Sequence, residues 1–179
     1  MIKYLNNNKT FSFALVSTLI FILYINLILS RVSGCFTIDV GSNSLGLSFY
    51  YTKDIVKNFF DLRNQDQLLC YNDFLKIWDV IFAIVYTCMY SSWIAFFLKN
   101  KRIFLIIPIL AMICDCSENY LEILMLETYL QANLIPDTFV SIGSGINSFK
   151  WIFSTFTYFI ILFGIIITLI KFIKKPRPN

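Results

Sequence analysis

Histidine is absent from the 179 residues. That removes zinc hydrolase motifs, Ser-His-Asp triads and haem ligation through histidine. Charge is also scarce: 15% of residues are Asp, Glu, Lys or Arg, against about 25% in an ordinary soluble domain. No G-x-G-x-x-G or P-loop pattern occurs, so nothing points to nucleotide phosphates. The connection from Thr128 to Ser148 has no Lys or Arg at all. What fills the chain is apolar: 58% hydrophobic, 18% aromatic, mean hydropathy +0.69. The class this implies is an integral membrane protein of one domain, residues 1–179.

Four stretches are long enough for a hydrocarbon core of about 30 Å, which a helix of about 20 residues crosses. They are 11–29, 78–98, 103–126 and 149–173, with a first loop at 30–77. The first run exceeds the 7–15 residues of a cleaved signal core and reads as an uncleaved anchor. Val32-Ser33-Gly34-Cys35 resembles a bacterial lipoprotein cleavage box, but Arg31 directly before it argues against processing.

Basic residues flank the spans unevenly. Lys3 and Lys9 precede the first, Lys99, Lys101 and Arg102 join the second to the third, and Lys171, Lys174, Lys175 and Arg177 follow the fourth. Cytoplasmic loops are the ones enriched in Lys and Arg, so both termini are expected in the cytoplasm. The net charge of +4 then faces anionic lipid headgroups. Membrane lipids are the expected partners and nucleic acid is not, because no nucleic-acid motif surrounds these charges.

The first loop carries Gly34, Gly41 and Gly46 with Ser42, Asn43 and Ser44, an irregular composition. Beyond it, Thr52 is an N-cap candidate and Asp54 falls in a first turn. Ile55, Val56, Phe59 and Phe60 then make an apolar stripe. The spacing predicts a short amphipathic helix that lies on the outer membrane surface or lids the bundle.

Inside the third apolar run stand Asp115, Glu118, Asn119 and Glu122, spaced i, i+3, i+4, i+7. At about 100° per residue they share an arc of about 100° on one helix face. Each carboxylate costs roughly 3 kcal/mol in a span on insertion scales, so such residues face a bundle interior and mark function. In span 2, Asp79, Ala83, Tyr86, Tyr90, Trp93 and Phe97 follow a 4-3-4-3-4 spacing. In span 4, Lys150, Ser154, Thr157, Ile161, Gly164 and Thr168 do the same. Both are seams of a left-handed helix pair, and the second is small or polar as membrane interfaces tend to be. The fold expected is an all-α four-helix bundle, with Asn26, Asp79, Glu122 and Lys150 at one level around a polar cavity.

Three readings of the stripe stay open. It is a structural network paired to Lys150, Asn26, Tyr86 and Tyr90; a proton or cation site, since clustered carboxylates share protons; or a source of acid/base groups acting on a lipophilic substrate. The favoured reading is a ligand site made by Asp79, Tyr86, Asp115, Glu118, Asn119, Glu122 and Lys150, taking a small lipophilic or lipid-like ligand, with no metal or cofactor called for. Lys150, with Arg31 as a further candidate, is the only cation near four carboxylates.

Among the five cysteines, Cys35 and Cys70 share the first loop and could form a disulfide. Cys114 and Cys116 flank Asp115 about 200° apart on a helix. The four-span thiol oxidoreductases of the vitamin K epoxide reductase and DsbB kind use Cys-x-x-Cys near a membrane surface, which this Cys-x-Cys does not match. Buried Cys acting as a small apolar residue is the default.

Two resemblances follow. Pro108 to Asn119 with its Asp115-x-x-Glu118-Asn119, then Lys150-Trp151, resembles a group of four-span membrane proteins of no established activity that share those motifs. Leu45-Gly46-Leu47-Ser48-Phe49 and Asp79 fit the same group. The layout is also similar to the emopamil-binding/sigma-2 (EXPERA) family, which has four spans, a surface helix in a long first loop and a basic C-terminal tail. That similarity implies a bundle whose acids bind sterol-like or amine ligands, with Asp79 and Asp115 or Glu118 as the analogous acids. The sterol isomerases' histidine has no counterpart here.

Overall fold

The computed structural model describes residues 2–38, 44–99 and 101–174, and among these it is helical with no strand. Gly41, Ser42 and Asn43 of the irregular stretch, and Lys175 and Arg177 of the basic tail, lie outside the described residues. Four helices are long and apolar enough to cross a membrane: Lys9–Cys35, Gln65–Phe97, Arg102–Ala132 and Asp137–Lys171.

Helix α1 (Ile2–Leu23) runs on through a π-helical turn at Tyr24–Leu29. Helix α2 (Lys53–Asp61) is the expected amphipathic helix, its first turn capped by Thr52 Oγ1, which accepts from Ile55 N at 3.4 Å. Its buried face is Val56, Phe59 and Phe60. Ile55, placed by the spacing on the same stripe, is exposed. The helix packs on the bundle as a lid.

The helices overrun the expected spans, the first of them to Cys35 instead of Leu29. Helix α3 (Gln65–Asp73) leads through a π-helical turn at Phe74–Trp78 into α4 (Asp79–Phe97), so residues 65–77 are helix and not loop. The start is fixed by a capping box: Asn64 Oδ1 accepts from Gln67 N at 2.9 Å and Gln67 Oε1 accepts from Asn64 N at 3.0 Å. Helix α5 (Ile106–Ala132) ends at Asn133, whose φ of 53° is the left-handed cap that stops a helix. Helix α6 (Asp137–Ile173) starts just past Pro136, so most of the expected connection from Thr128 to Ser148 is helical.

Helix α1 packs along α4, α4 along α5, and α5 along α6. Among the described residues, α1 and α6 share no comparable seam. Two apolar cores result. One joins the cap to the helix ends: Phe36, Leu45, Val56, Phe60, Tyr71 and Leu126 are among its buried members. The other fills the bundle with Ala83, Tyr86, Met89, Tyr90 and Ala111, confirming that the span 2 seam faces inward. The cap is tied by a Cys35–Cys70 disulfide with Cα atoms 6.3 Å apart. Arg63 also pins it, donating to Phe36 O at 2.8 Å and Phe59 O at 2.7 Å while its guanidinium lies 3.5 Å from the centre of the Phe59 ring. Burial pulls the Arg63 pKa below its ordinary value. The polar residues of α5 occupy the layer between the two cores.

Candidate functional site

Helical geometry delivers the α5 stripe as one buried face: Asp115 and Asn119 are 4% exposed, and Glu118 and Glu122 are fully buried. Across from it, α6 supplies Lys150. Its Nζ donates to Glu118 Oε2 at 2.5 Å and lies 3.1 Å from Asp115 Oδ1. It also donates to Gly46 O at 3.1 Å, and Trp151 Nε1 donates to that same carbonyl at 3.1 Å. A Cβ on Gly46 would stand 3.0 Å from Lys150 Nζ and 3.3 Å from Glu118 Oε1, so only glycine lets the backbone come this close without displacement. The cap segment, residues 44–52, is fastened nearer the start of α6: Asn147 Nδ2 donates to Ser48 O at 2.6 Å and Tyr51 N to Ser144 Oγ at 2.9 Å.

On the other side α3 and α4 close the layer. Tyr71 donates its hydroxyl to Glu122 Oε2. Its oxygen accepts from Leu45 N at 3.3 Å and lies 3.2 Å from Ser44 Oγ. Asn119 Nδ2 donates to Asp79 Oδ2 at 2.8 Å, and the Tyr86 hydroxyl faces Asp115. The Tyr51 hydroxyl is buried beside Glu122 and Glu118. Burial first, then those two carboxyls, raise its pKa well above the ordinary tyrosine value. Tyr90 reaches α6 instead, donating to the Tyr158 hydroxyl at 2.5 Å.

Next to this layer lies a cavity of about 410 Å³, set where α1 and α6 fail to pack. Its apolar sides come from Phe21, Ile25 and Leu29 of α1 and its continuation, Phe82 of α4, and Trp151 of α6; the cap contributes Gly46 and Leu47. Its polar end is Asp79, Tyr86, Asp115 and Lys150. Glu118, Asn119 and Glu122 stand behind that wall. The seven residues singled out from the sequence therefore fall in one cluster, six of them buried and Asp79 half-buried, with four in the cavity wall and three in its backing.

Two expectations are corrected. Asn26 is exposed and its amide donates to Ile22 O of its own helix at 2.8 Å, so span 1 contributes Ser30 and Ser33 to the cavity instead. Arg31 is exposed on the surface, which leaves Lys150 as the one cation, among the described residues, that ion-pairs with these acids.

Tyr71 and Tyr51 escaped the sequence reading. Running the 4-3 seam of α4 back from Asp79 reaches Lys76 and then Asn72, whereas Leu75 and Tyr71 are the residues buried there. The π-helical turn at Phe74–Trp78 inserts extra residue length into the helix, and Tyr71 faces the core in place of Asn72. A π turn leaves no clear sequence mark. Cys35, taken up by its disulfide, carries no free thiol for a lipid; Cys88, Cys114 and Cys116 are free thiols. No protein-family model, curated protein or solved structure matches the chain.

Proposed function

We propose that the chain is a multi-pass integral membrane protein, both termini cytoplasmic, that binds a small lipophilic or lipid-like ligand in the cavity between α1 and α6. The observation that carries this is the cavity's make-up: apolar sides facing the gap between two helices, and a polar end with two carboxyls and one ammonium. Membrane insertion is supported by how little of the apolar helices the fold covers. In the most apolar window of each span, between 11% and 39% is buried. The rest of that surface needs an apolar environment. A ligand entering sideways from the lipid would leave its chain among Phe21, Ile25 and Phe82 and place its head at Asp79, Asp115 and Lys150. The layout similarity to the emopamil-binding/sigma-2 family supports the ligand reading, and the resemblance to four-span proteins with Asp-x-x-Glu-Asn supports the four-span architecture alone.

Chemistry on the ligand would fall to Asp79 and Asp115, one from each neighbouring helix, as an acid and base facing the same space. A purely structural network is the second reading, favoured by the internal pairing of Lys150 with Glu118 and Asp115.

Quenching of tryptophan fluorescence by single-chain amphiphiles brominated along the chain separates the two, because Trp151 lines the cavity. In vesicles, saturable quenching is expected with an amine-headed or a carboxylate-headed probe. It should be lost in Ser154→Phe, which fills the cavity, and weakened in Asp115→Asn. Quenching that rises without saturation and ignores both substitutions refutes ligand binding and leaves the network reading.

A further inference from the structure

Glu118 and Glu122 each spend one carboxyl oxygen on a partner from another helix. Glu118 Oε2 takes Lys150 Nζ at 2.5 Å, and Glu122 Oε2 takes the Tyr71 hydroxyl. The two remaining Oε1 atoms are buried with no donor from any other residue, and the two carboxyls stand one turn apart, i and i+4, on the same face of α5. Both side chains are 0% exposed. Two bare acceptors enclosed one helical turn apart repel, and one proton shared by neighbouring carboxyls makes a charge-assisted O–H···O⁻ bond.

A third group points the same way. The Tyr51 hydroxyl, on a residue 2% exposed, has no hydrogen-bond partner and is within electrostatic reach of both carboxyls. The titratable groups that interact electrostatically with the pair come from every element around it: Asp115 on α5 itself, Asp79 from α4, Lys150 from α6, Tyr71 from α3 and Tyr51 from the cap segment 44–52. One ammonium stands among four carboxyls. Burying several unmatched charges is far more costly than binding a proton.

We propose that Glu118 and Glu122 form a carboxylic acid–carboxylate pair that binds one proton, a proton site set one residue behind the cavity wall. Lys150 joins it to Asp115 in that wall. Tyr71 joins it to Ser44 and Leu45 of the cap, so the proton also holds the seat on which the cap rests. The inference is independent of the ligand reading, since the pair lies outside the cavity.

The chain has three glutamates: Glu118, Glu122 and Glu127. Infrared spectra of the full chain in ligand-free vesicles, made with glutamate carrying ¹³C at the side-chain carboxyl, therefore report on these alone. Near neutral pH the wild type should show an isotope-shifted band from one protonated carboxyl per chain. Glu127→Gln, at a half-exposed surface pair with Lys76, should keep it, and Glu122→Gln should remove it. Should Glu122→Gln fail to fold, the labelled wild-type and Glu127→Gln spectra still decide. No labelled protonated band, a band worth two carboxyls, or a band lost in Glu127→Gln overturns the proposal. So does a band that disappears when sodium is added at constant pH, which would make a metal cation the occupant.

Discussion

Lys150 is the residue on which the polar layer depends, because its ammonium touches Glu118, Asp115 and the Gly46 carbonyl at once. Removing one partner of a buried ion pair leaves the other charge unmatched, at a cost of about 3–5 kcal/mol. Lys150→Met is therefore expected to lower stability by that order, read as a drop in the unfolding midpoint in detergent micelles. Lys150→Met combined with Glu118→Gln should recover part of the loss, since one unmatched carboxyl goes with it. At this scale the sequence was informative: acids inside an apolar run cannot be lipid-facing, so their burial followed from composition and 3.6-residue periodicity alone. What it concealed was the division of labour among them. Asp115 and Asp79 reach the cavity while Glu118 and Glu122 stop behind it, and that depends on which neighbouring helix stands opposite each turn of α5.

At the scale of elements, the cap helix α2 is anchored by Asp61, which accepts from Lys57 Nζ at 2.5 Å and from the Tyr129 hydroxyl at 2.7 Å. The Lys57 hydrogen bond foremost, then that from Tyr129, holds the Asp61 carboxyl below its ordinary pKa. A group with a depressed folded-state pKa contributes stability above its unfolded value and loses it as pH falls through the folded one. Protection of the amides over residues 53–61, taken relative to the intrinsic exchange rate at each pH, should therefore fall on acidification below the usual carboxylate range. Asp61→Asn should exchange faster already at neutral pH and show no such acid step.

The cap segment is similarly exacting where it meets α6. A Cβ at Gly143 would come within 2.5 Å of the Tyr51 hydroxyl oxygen. Overpacking of this kind costs about 1–3 kcal/mol, so Gly143→Ala should lower the thermal midpoint and Tyr51→Phe, which removes the hydroxyl, should restore part of it. Element existence was legible from apolar run length, yet each boundary was set by short local signals: the Asn64–Gln67 capping box, the left-handed Asn133, and Pro136 before Asp137. Hydropathy is blind to these, because helices that continue beyond the apolar band do so with polar residues on their solvent side.

For the whole molecule, the Cys35–Cys70 disulfide closes the segment that carries residues 44–52 and α2. A cross-link over a loop of this size contributes about 2–4 kcal/mol, so reduction should lower the unfolding midpoint and speed exchange in the cap before the bundle. Alkylation of the unreduced, denatured chain should mark three thiols, Cys88, Cys114 and Cys116, and five after reduction.

The sequence by itself determined that the chain is helical, that four of its segments are apolar at membrane-spanning length, and that one helix carries a buried acidic face. Those properties follow from composition and from the period of the α-helix, which act locally. Only the tertiary structure decided that the cavity lies between α1 and α6, that the cap at Gly46 sits on Lys150 and Trp151, and that Tyr71 and Tyr51 join the acids. These contacts link residues some 50 to 105 positions apart, and their geometry depends on helix register, down to the single turn of π-helix before α4. Pairings over such separations carry no local pattern, so packing alone fixes them.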